Sequence, residues 1–170
     1  REGGHSEVRV LHHKDVTGKE IERALLEQVH NTSNIKILQH YFVTDLITQH
    51  HLGRIITRAT ENNQCYGVYA LNKDTNQIEK IISKITVLAT GGFGQVYRST
   101  TNPTIATGDG IAMVYRAKGR VSNMEFVQFH PTALYEPDVS PSFLITEAVR
   151  GDGGILKTKS GEEFMKRYDK

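Results

Sequence analysis

His130, in QFHPTAL, stands before Pro131 and Thr132 at the end of one apolar run, and in FLITEAVRGDGG the pair Thr146 and Glu147 ends another. Imidazole and hydroxyl groups can donate hydrogen bonds, and a carboxylate can accept them, so the set offers polar groups to a ligand. Polar groups at the ends of buried segments are how a scaffold meets a ligand. Three glycine-bearing stretches join them: REGGHS at residues 1–6, TGGFG at 90–94 and TGDG at 107–110. Glycine lets backbone come close to a ligand or take a tight turn. Each stretch also has a plain reading: a satisfied core histidine, the first turn of a helix, an ordinary turn.

These residues need elements to position them. Val8–His13 predicts a short strand. Thr17 opens a helix, with Glu20 at capping-box spacing and Ile21, Ala24, Leu25 and Val29 on one face. Asn31–Asn34 ends it. Ile35–Leu38, Tyr41–Thr48 and Cys65–Leu71 predict strands from β-branched and aromatic content, and Lys73–Asn76 a turn. Ile78–Thr90 reads as two strands joined near Ser83, the second, ITVLAT, with the unbroken apolar character of a buried parallel strand. Asp109 predicts an N-cap before IAMVYRAKG, with Gly119 as the C′ residue. A carboxylate there suits a ribityl or ribose hydroxyl better than a phosphate, because like charges repel. The order implies an α/β nucleotide-binding domain with an inserted β-meander.

The 170 residues suffice for one domain or one and part of another. Apolar residues make up 38% and charged residues 24%, a globular profile, and a net charge of +2 with both signs interspersed gives no nucleic-acid footprint. Apolar runs fall far short of the ~20 residues that span a membrane. The single cysteine, Cys65, excludes an internal disulfide and a cysteine-based zinc site, and fits a reducing compartment. The paired histidines His12–His13 and His50–His51 lack metal-site spacing to a carboxylate. An N-terminal Arg1 and a charged end, EEFMKRYDK, suggest part of a longer protein.

REGGHS, HHKDVTGKEIE, VLATGGFGQVY, TTNPTIATGDGIAMVYRAKG, EFVQFHPTALY and FLITEAVRGDGGIL, in this order, resemble the L-aspartate oxidase family, within the flavoprotein superfamily of succinate dehydrogenase and fumarate reductase. The resemblance covers essentially the whole chain. It implies a Rossmann-like FAD-binding domain, here 1–124, followed from 125–170 by the start of an α+β capping domain. It implies that the G-x-G-x-x-G segment lies upstream and the proton-donating arginine beyond Lys170. Residue by residue, Glu2 corresponds to a recogniser of the substrate amino group, and His130, Thr146 and Glu147 to residues that hold its carboxylates. Gly4, His5 and Ser6 fall near the flavin ring. Val43 matches a backbone contact to the adenine half, Ala89, Thr90, Gly91 and Gly92 the turn beside the cofactor, and Asp109 a flavin contact. Asp152 and His13 depart from the family's usual residues. Gln95–Val96–Tyr97 is expected to decide little, and Arg150 to serve as an ion-pair partner or a second carboxylate clamp.

The implied reaction is FAD-dependent oxidation of L-aspartate to iminoaspartate, with O₂ or fumarate as acceptor, as the first step of de novo NAD biosynthesis. A cytoplasmic enzyme that hands iminoaspartate to quinolinate synthase follows from the same resemblance, with no nucleic-acid, membrane or metal requirement. Such a site must hold two carboxylates, set the α-carbon against the flavin and pair the ammonium. Glu2 would supply that pairing and so separate aspartate from succinate, because an unpaired buried ammonium is costly. The alternatives are a fumarate reductase or succinate dehydrogenase flavoprotein subunit, and a partial module that is inactive by itself.

Overall fold

The computed structural model describes residues 6–14 and 16–168. The chain divides into two compact units. One comprises Arg1–Lys36, His130–Tyr135 and Phe143–Lys170; the other comprises Ile37–Phe129 and Glu136–Ser142.

The second unit is built on a three-stranded antiparallel sheet, β1 (Tyr41–Thr48), β2 (Cys65–Asn72) and β3 (Gln77–Ile82), in the order β1-β2-β3. β2 and β3 form a hairpin whose register runs from Asn72 opposite Gln77 to Gly67 opposite Ile82. Asn72 makes the turn. Its Oδ1 accepts the Asp74 and Thr75 N–H groups at 3.0 and 3.3 Å, which mimics a backbone turn and frees the strand to reverse. The same side chain, nearly buried, donates from Nδ2 to Glu79 Oε1 at 2.8 Å and to the Tyr41 hydroxyl at 3.0 Å, while that hydroxyl donates to Glu79. Burial first, and then the Glu79 carboxylate, pushes the Tyr41 hydroxyl above the usual phenol range. One residue from each strand thus meets in a polar network that fixes the register of all three. Asn72→Asp keeps the turn acceptor but loses the donor and sets a second carboxylate beside Glu79. It is expected to cost roughly 1–3 kcal/mol of local stability, read as faster amide exchange along β2 and β3.

Helix α2 (Asp109–Arg116) packs on β1, and Leu46, Ile47, Ala70, Ala106 and Met113 form the small buried core of this unit. Gly108, in the left-handed region at φ 77°, is the N-cap and Asp109 the first helical residue, one position off the expected cap. The helix ends with Lys118, not Gly119, in the left-handed conformation at φ 65°. Lys118 N–H donates to Tyr115 O and Gly119 N–H to Val114 O, so glycine takes the position after the one expected.

In the first unit, α1 (Thr17–His30) forms where the periodicity places it and ends at Asn31. Its expected capping box does not form. Val16 is the N-cap, Thr17 Oγ1 accepts the His13 N–H, and Glu20 turns to Arg23, whose guanidinium holds the carboxyl below its usual range. No residue of α1 is buried. A hairpin-like ladder follows, with Ala133 bridging Leu144 and Leu134 N–H donating to Phe143 O at 2.8 Å. It leads into the short helix α3 (Glu147–Gly151).

Three expected strands are not in a sheet. Val8–His13, Ile35–Leu38 and the ITVLAT segment are extended or turned but unpaired, with Leu11 94% and Val87 81% exposed. A strand needs a neighbour for its backbone donors and acceptors, and among the described residues no strand pairs with these segments. The sheet that does form is antiparallel, so the expected buried parallel strand is absent from it.

Candidate active site

The cofactor candidates of the second unit gather around two glycine loops. Ala89 and Thr90 end the ITVLAT segment and run into Gly91 and Gly92 as an exposed turn, and residues 107–110 carry the chain into α2. The loops are locked together. Gly108 N–H donates to Gly92 O at 3.1 Å, and Gln95 N–H to Ala106 O at 3.0 Å. A Cβ added at Gly110 would lie 2.2 Å from Thr90 Oγ1, and one at Gly94 would lie 2.6 Å from Asn102 Cγ. No side chain fits at either position, because the Thr90 and Asn102 side chains lie directly against the glycine backbone.

The outward face of the turn is open by contrast. Gly91 takes φ 74°, and a Cβ there would meet nothing within 4 Å. The N–H groups of Ala89, Thr90, Gly91 and Gly92 find no acceptor among the described residues. A bare turn with unspent donors is a cradle for a ligand rich in acceptors, and the oxygens and ring nitrogens of FAD fit that description. Asp109 lies beside it, half-buried, with Oδ1 accepting the Thr107 hydroxyl at 3.0 Å. Its other carboxylate oxygen suits a hydroxyl donor. Val43 lies in β1 opposite Ala70, next to a register shift, and shares with Thr90, Val68, Ile81 and Met113 a cavity of about 320 Å³. Val43 and Thr90, 47 positions apart, are therefore brought to one place.

The substrate-side candidates sit in the first unit. His130, Thr146 and Glu147 lie at the same end of the 132–134 and 143–145 ladder. The Thr132 carbonyl joins its two sides. It is 2.8 Å from His130 Nδ1 and accepts the Ile145 N–H at 3.2 Å. With Nδ1 engaged locally, Nε2 is the ring nitrogen left to meet a ligand. Thr146 is the N-cap of α3, its Oγ1 accepting the Ala148 N–H at 3.2 Å. Glu147 pairs with Arg150 at 3.0 Å, both side chains about 40% exposed. The expected ion pair of Arg150 is therefore formed, with Glu147 as its partner. Because Glu147 carries the same charge as a carboxylate ligand, it meets one only through its backbone N–H or in its protonated form. Thr146→Ala is expected to cost about 1 kcal/mol from the lost cap alone, with Thr146→Ser retaining it, as measured by amide exchange across α3.

Glu2, Gly4 and His5 lie outside the described residues. Ser6 is exposed in the first unit. The other histidines do local work: His51 Nδ1 accepts the Thr48 N–H, and His40 Nδ1 contacts Asp74 at 3.0 Å. Cys65 Sγ contacts Gly67 O and the Thr86 hydroxyl, two local partners at the start of β2. Gln95, expected to decide little, holds three carbonyls: its N–H donates to Ala106 O, and its Nε2 donates to Asn102 O at 2.8 Å and Pro103 O at 3.2 Å. A polar residue just after a glycine turn, with a TNP loop a few residues on, was the only sequence sign of it.

No helix among the described residues is long and apolar enough to cross a membrane. The chain is similar to the chloroplastic L-aspartate oxidase of Oryza sativa subsp. japonica, at 53% identity over 99% of this chain and 26% of the relative. It is similar to the L-aspartate oxidase of Acinetobacter baylyi, at 47% identity over 99% of this chain and 30% of the relative. Among solved structures it resembles a quinol-fumarate reductase with menaquinol molecules, with a TM-score of 0.82 and 32% identity over 99% of this chain and 26% of that one. The chain spans about a quarter of the length of the first of these relatives. A family model described as an FAD binding domain matches residues 1–170. With a glycine cradle that suits the cofactor and a family match along its whole length, the chain belongs to the FAD-binding-domain family of flavoproteins.

Proposed function

We propose that the full-length protein is an FAD-dependent L-aspartate oxidase that converts L-aspartate to iminoaspartate, with O₂ or fumarate as electron acceptor. The observation that carries the reading is the ladder that places His130 and Thr146 at one end of a two-stranded frame, in a chain 53% identical to a named L-aspartate oxidase. Bound FAD would supply the acceptor for the hydride from the α-carbon, while a proton leaves the substrate nitrogen to solvent. The residues of this chain bind and orient. His130 donates from Nε2 to one substrate carboxylate, and Thr146, already fixed by its capping bond, adds a hydroxyl. Glu147, held by Arg150, presents its backbone N–H to the same group. Glu2 pairs the substrate ammonium, and the turn from Ala89 to Gly92, with Gly4, His5, Ser6, Val43 and Asp109, holds the cofactor. In this reading residues 1–124 belong to a Rossmann-like FAD domain and residues 125–170 open a capping domain. The chain alone, without the rest of that frame, is inactive. The product feeds de novo NAD biosynthesis, by hand-off to quinolinate synthase. The setting is cytoplasmic, although the plant relatives carry chloroplastic names.

A second reading, a fumarate reductase or succinate dehydrogenase flavoprotein subunit, is favoured by the quinol-fumarate reductase likeness. The two separate on substrate. The purified full-length protein is expected to carry flavin absorbance and to consume L-aspartate, and Glu2→Gln is expected to lower aspartate turnover while fumarate reduction persists. Oxidation of succinate without aspartate turnover would establish the second reading instead. A colourless protein that gains no FAD on titration would sink both.

A further inference from the structure

We infer that Gln95 is a positioning residue for the cofactor, acting through Asn102 on the glycine turn. The inference rests on the proposal that the turn from Ala89 to Gly92 holds FAD. Gln95 is half-buried, just past the turn, and its Nε2 donates to the carbonyls of Asn102 and Pro103 at 2.8 and 3.2 Å. Its own N–H donates to Ala106 O at 3.0 Å. Three carbonyls of the 102–106 loop are thereby tied to one residue. Asn102 is held from its other side as well, its N–H donating to Thr100 Oγ1 at 3.1 Å.

The fixed loop sets the Asn102 side chain under the turn. A Cβ at Gly94 would lie 2.6 Å from Asn102 Cγ and 2.8 Å from its Cβ, and one at Gly92 would lie 3.6 Å from its Oδ1. Asn102 therefore occupies the space a side chain at 94 would need, and its Oδ1 lies at ordinary contact distance from where one at 92 would begin. Gly92 O in turn accepts the Gly108 N–H at 3.1 Å, and Gly108 caps α2. A chain of hydrogen bonds runs from Gln95 through the 102–108 loop to Gly92, by way of Gln95 N–H to Ala106 O and Gly108 N–H to Gly92 O, and so to the residue before Asp109. The turn itself has no secondary structure of its own. A segment without a ladder keeps one height only if something outside it fixes that height. The amides of residues 89–92 and the Asp109 carboxylate must keep a set spacing to act on one ligand. Gln95 is the side chain that links their two supports.

The test uses the full-length protein. Gln95→Glu keeps the side-chain shape, removes both donors and sets an acceptor against two carbonyl oxygens; Gln95→Lys restores a donor. FAD affinity is measured by flavin fluorescence titration, and amide exchange is followed at Ala106 and Gly108, whose N–H groups are bonded to Pro103 O and Gly92 O. Gln95→Glu is expected to weaken FAD about tenfold and to speed exchange at Ala106 and Gly108, and Gln95→Lys to return both toward wild type. Should Gln95→Glu fail to fold, Gln95→Met, neutral and of similar length, carries the same comparison. Wild-type FAD affinity and exchange in the donor-free variant overturn the inference while the FAD proposal stands. Equal losses in the glutamate and lysine variants, with matching falls in thermal stability, mark a merely structural residue and overturn it too. A wild-type protein that binds no FAD overturns both.

Discussion

Gly110→Ala is expected to weaken FAD binding by roughly ten- to a hundredfold, from ~1–3 kcal/mol of overpacking where the cofactor turn meets α2. The added methyl would lie 2.2 Å from Thr90 Oγ1, far inside contact distance. Thr90 cannot simply swing aside, because a β-branched side chain has few open rotamers and its Cβ and Cγ2 already lie 3.3 and 3.4 Å from the same point. The strain therefore moves Thr90 or the first turn of α2, and both carry cofactor candidates. A second substitution tells packing from helix propensity. Thr90→Ala in the Gly110→Ala background removes the clashing atom and is expected to recover much of the affinity, while Thr90→Val keeps the branched shape and is not. Titration of the full-length apoprotein with FAD checks all three. Unchanged affinity in Gly110→Ala would show that the two loops are not locked.

His130→Asn is expected to raise the KM for L-aspartate ~10- to 150-fold, the worth of a hydrogen bond to a charged group of about 1.5–3 kcal/mol. The reason lies in which nitrogen is spent. Nδ1 is 2.8 Å from the Thr132 carbonyl, so the ligand-facing atom is Nε2. Asparagine places its amide nitrogen near the Nδ1 position and can keep the Thr132 contact while losing the outer donor. Glutamine reaches the Nε2 position and is expected to lose less affinity. Steady-state kinetics of the two variants decide the matter: if asparagine outperforms glutamine, Nδ1 rather than Nε2 faces the substrate.

What could be read from the sequence and what could not divide along the range of the interactions. The helix Thr17–His30 shows itself through its own periodicity, and the β2–β3 hairpin through β-branched runs and an Asx residue at its turn. Both signals are local. The ITVLAT segment has the same strand-like composition, yet it stands outside the sheet, because β-propensity is a preference for a neighbour rather than for a backbone shape. The caps missed by one position for a related reason. Thr17, Asp109 and Gly119 are all plausible capping types, and the choice among adjacent residues went to whichever fitted the entering chain. At the site, His130, Thr146 and Glu147 could be named from their motifs. Nothing in their spacing foretold the ladder that aligns them, since the residues between them carry no clear alternation. Gln95 was invisible for want of any period: its partners are loop carbonyls seven and more positions away.

The Thr132 carbonyl has a consequence for mutagenesis. One oxygen lies 2.8 Å from the His130 ring nitrogen and accepts the Ile145 N–H at 3.2 Å. It belongs to the backbone, so no side-chain substitution at position 132 removes it, and the contact is reached only by changing the imidazole itself.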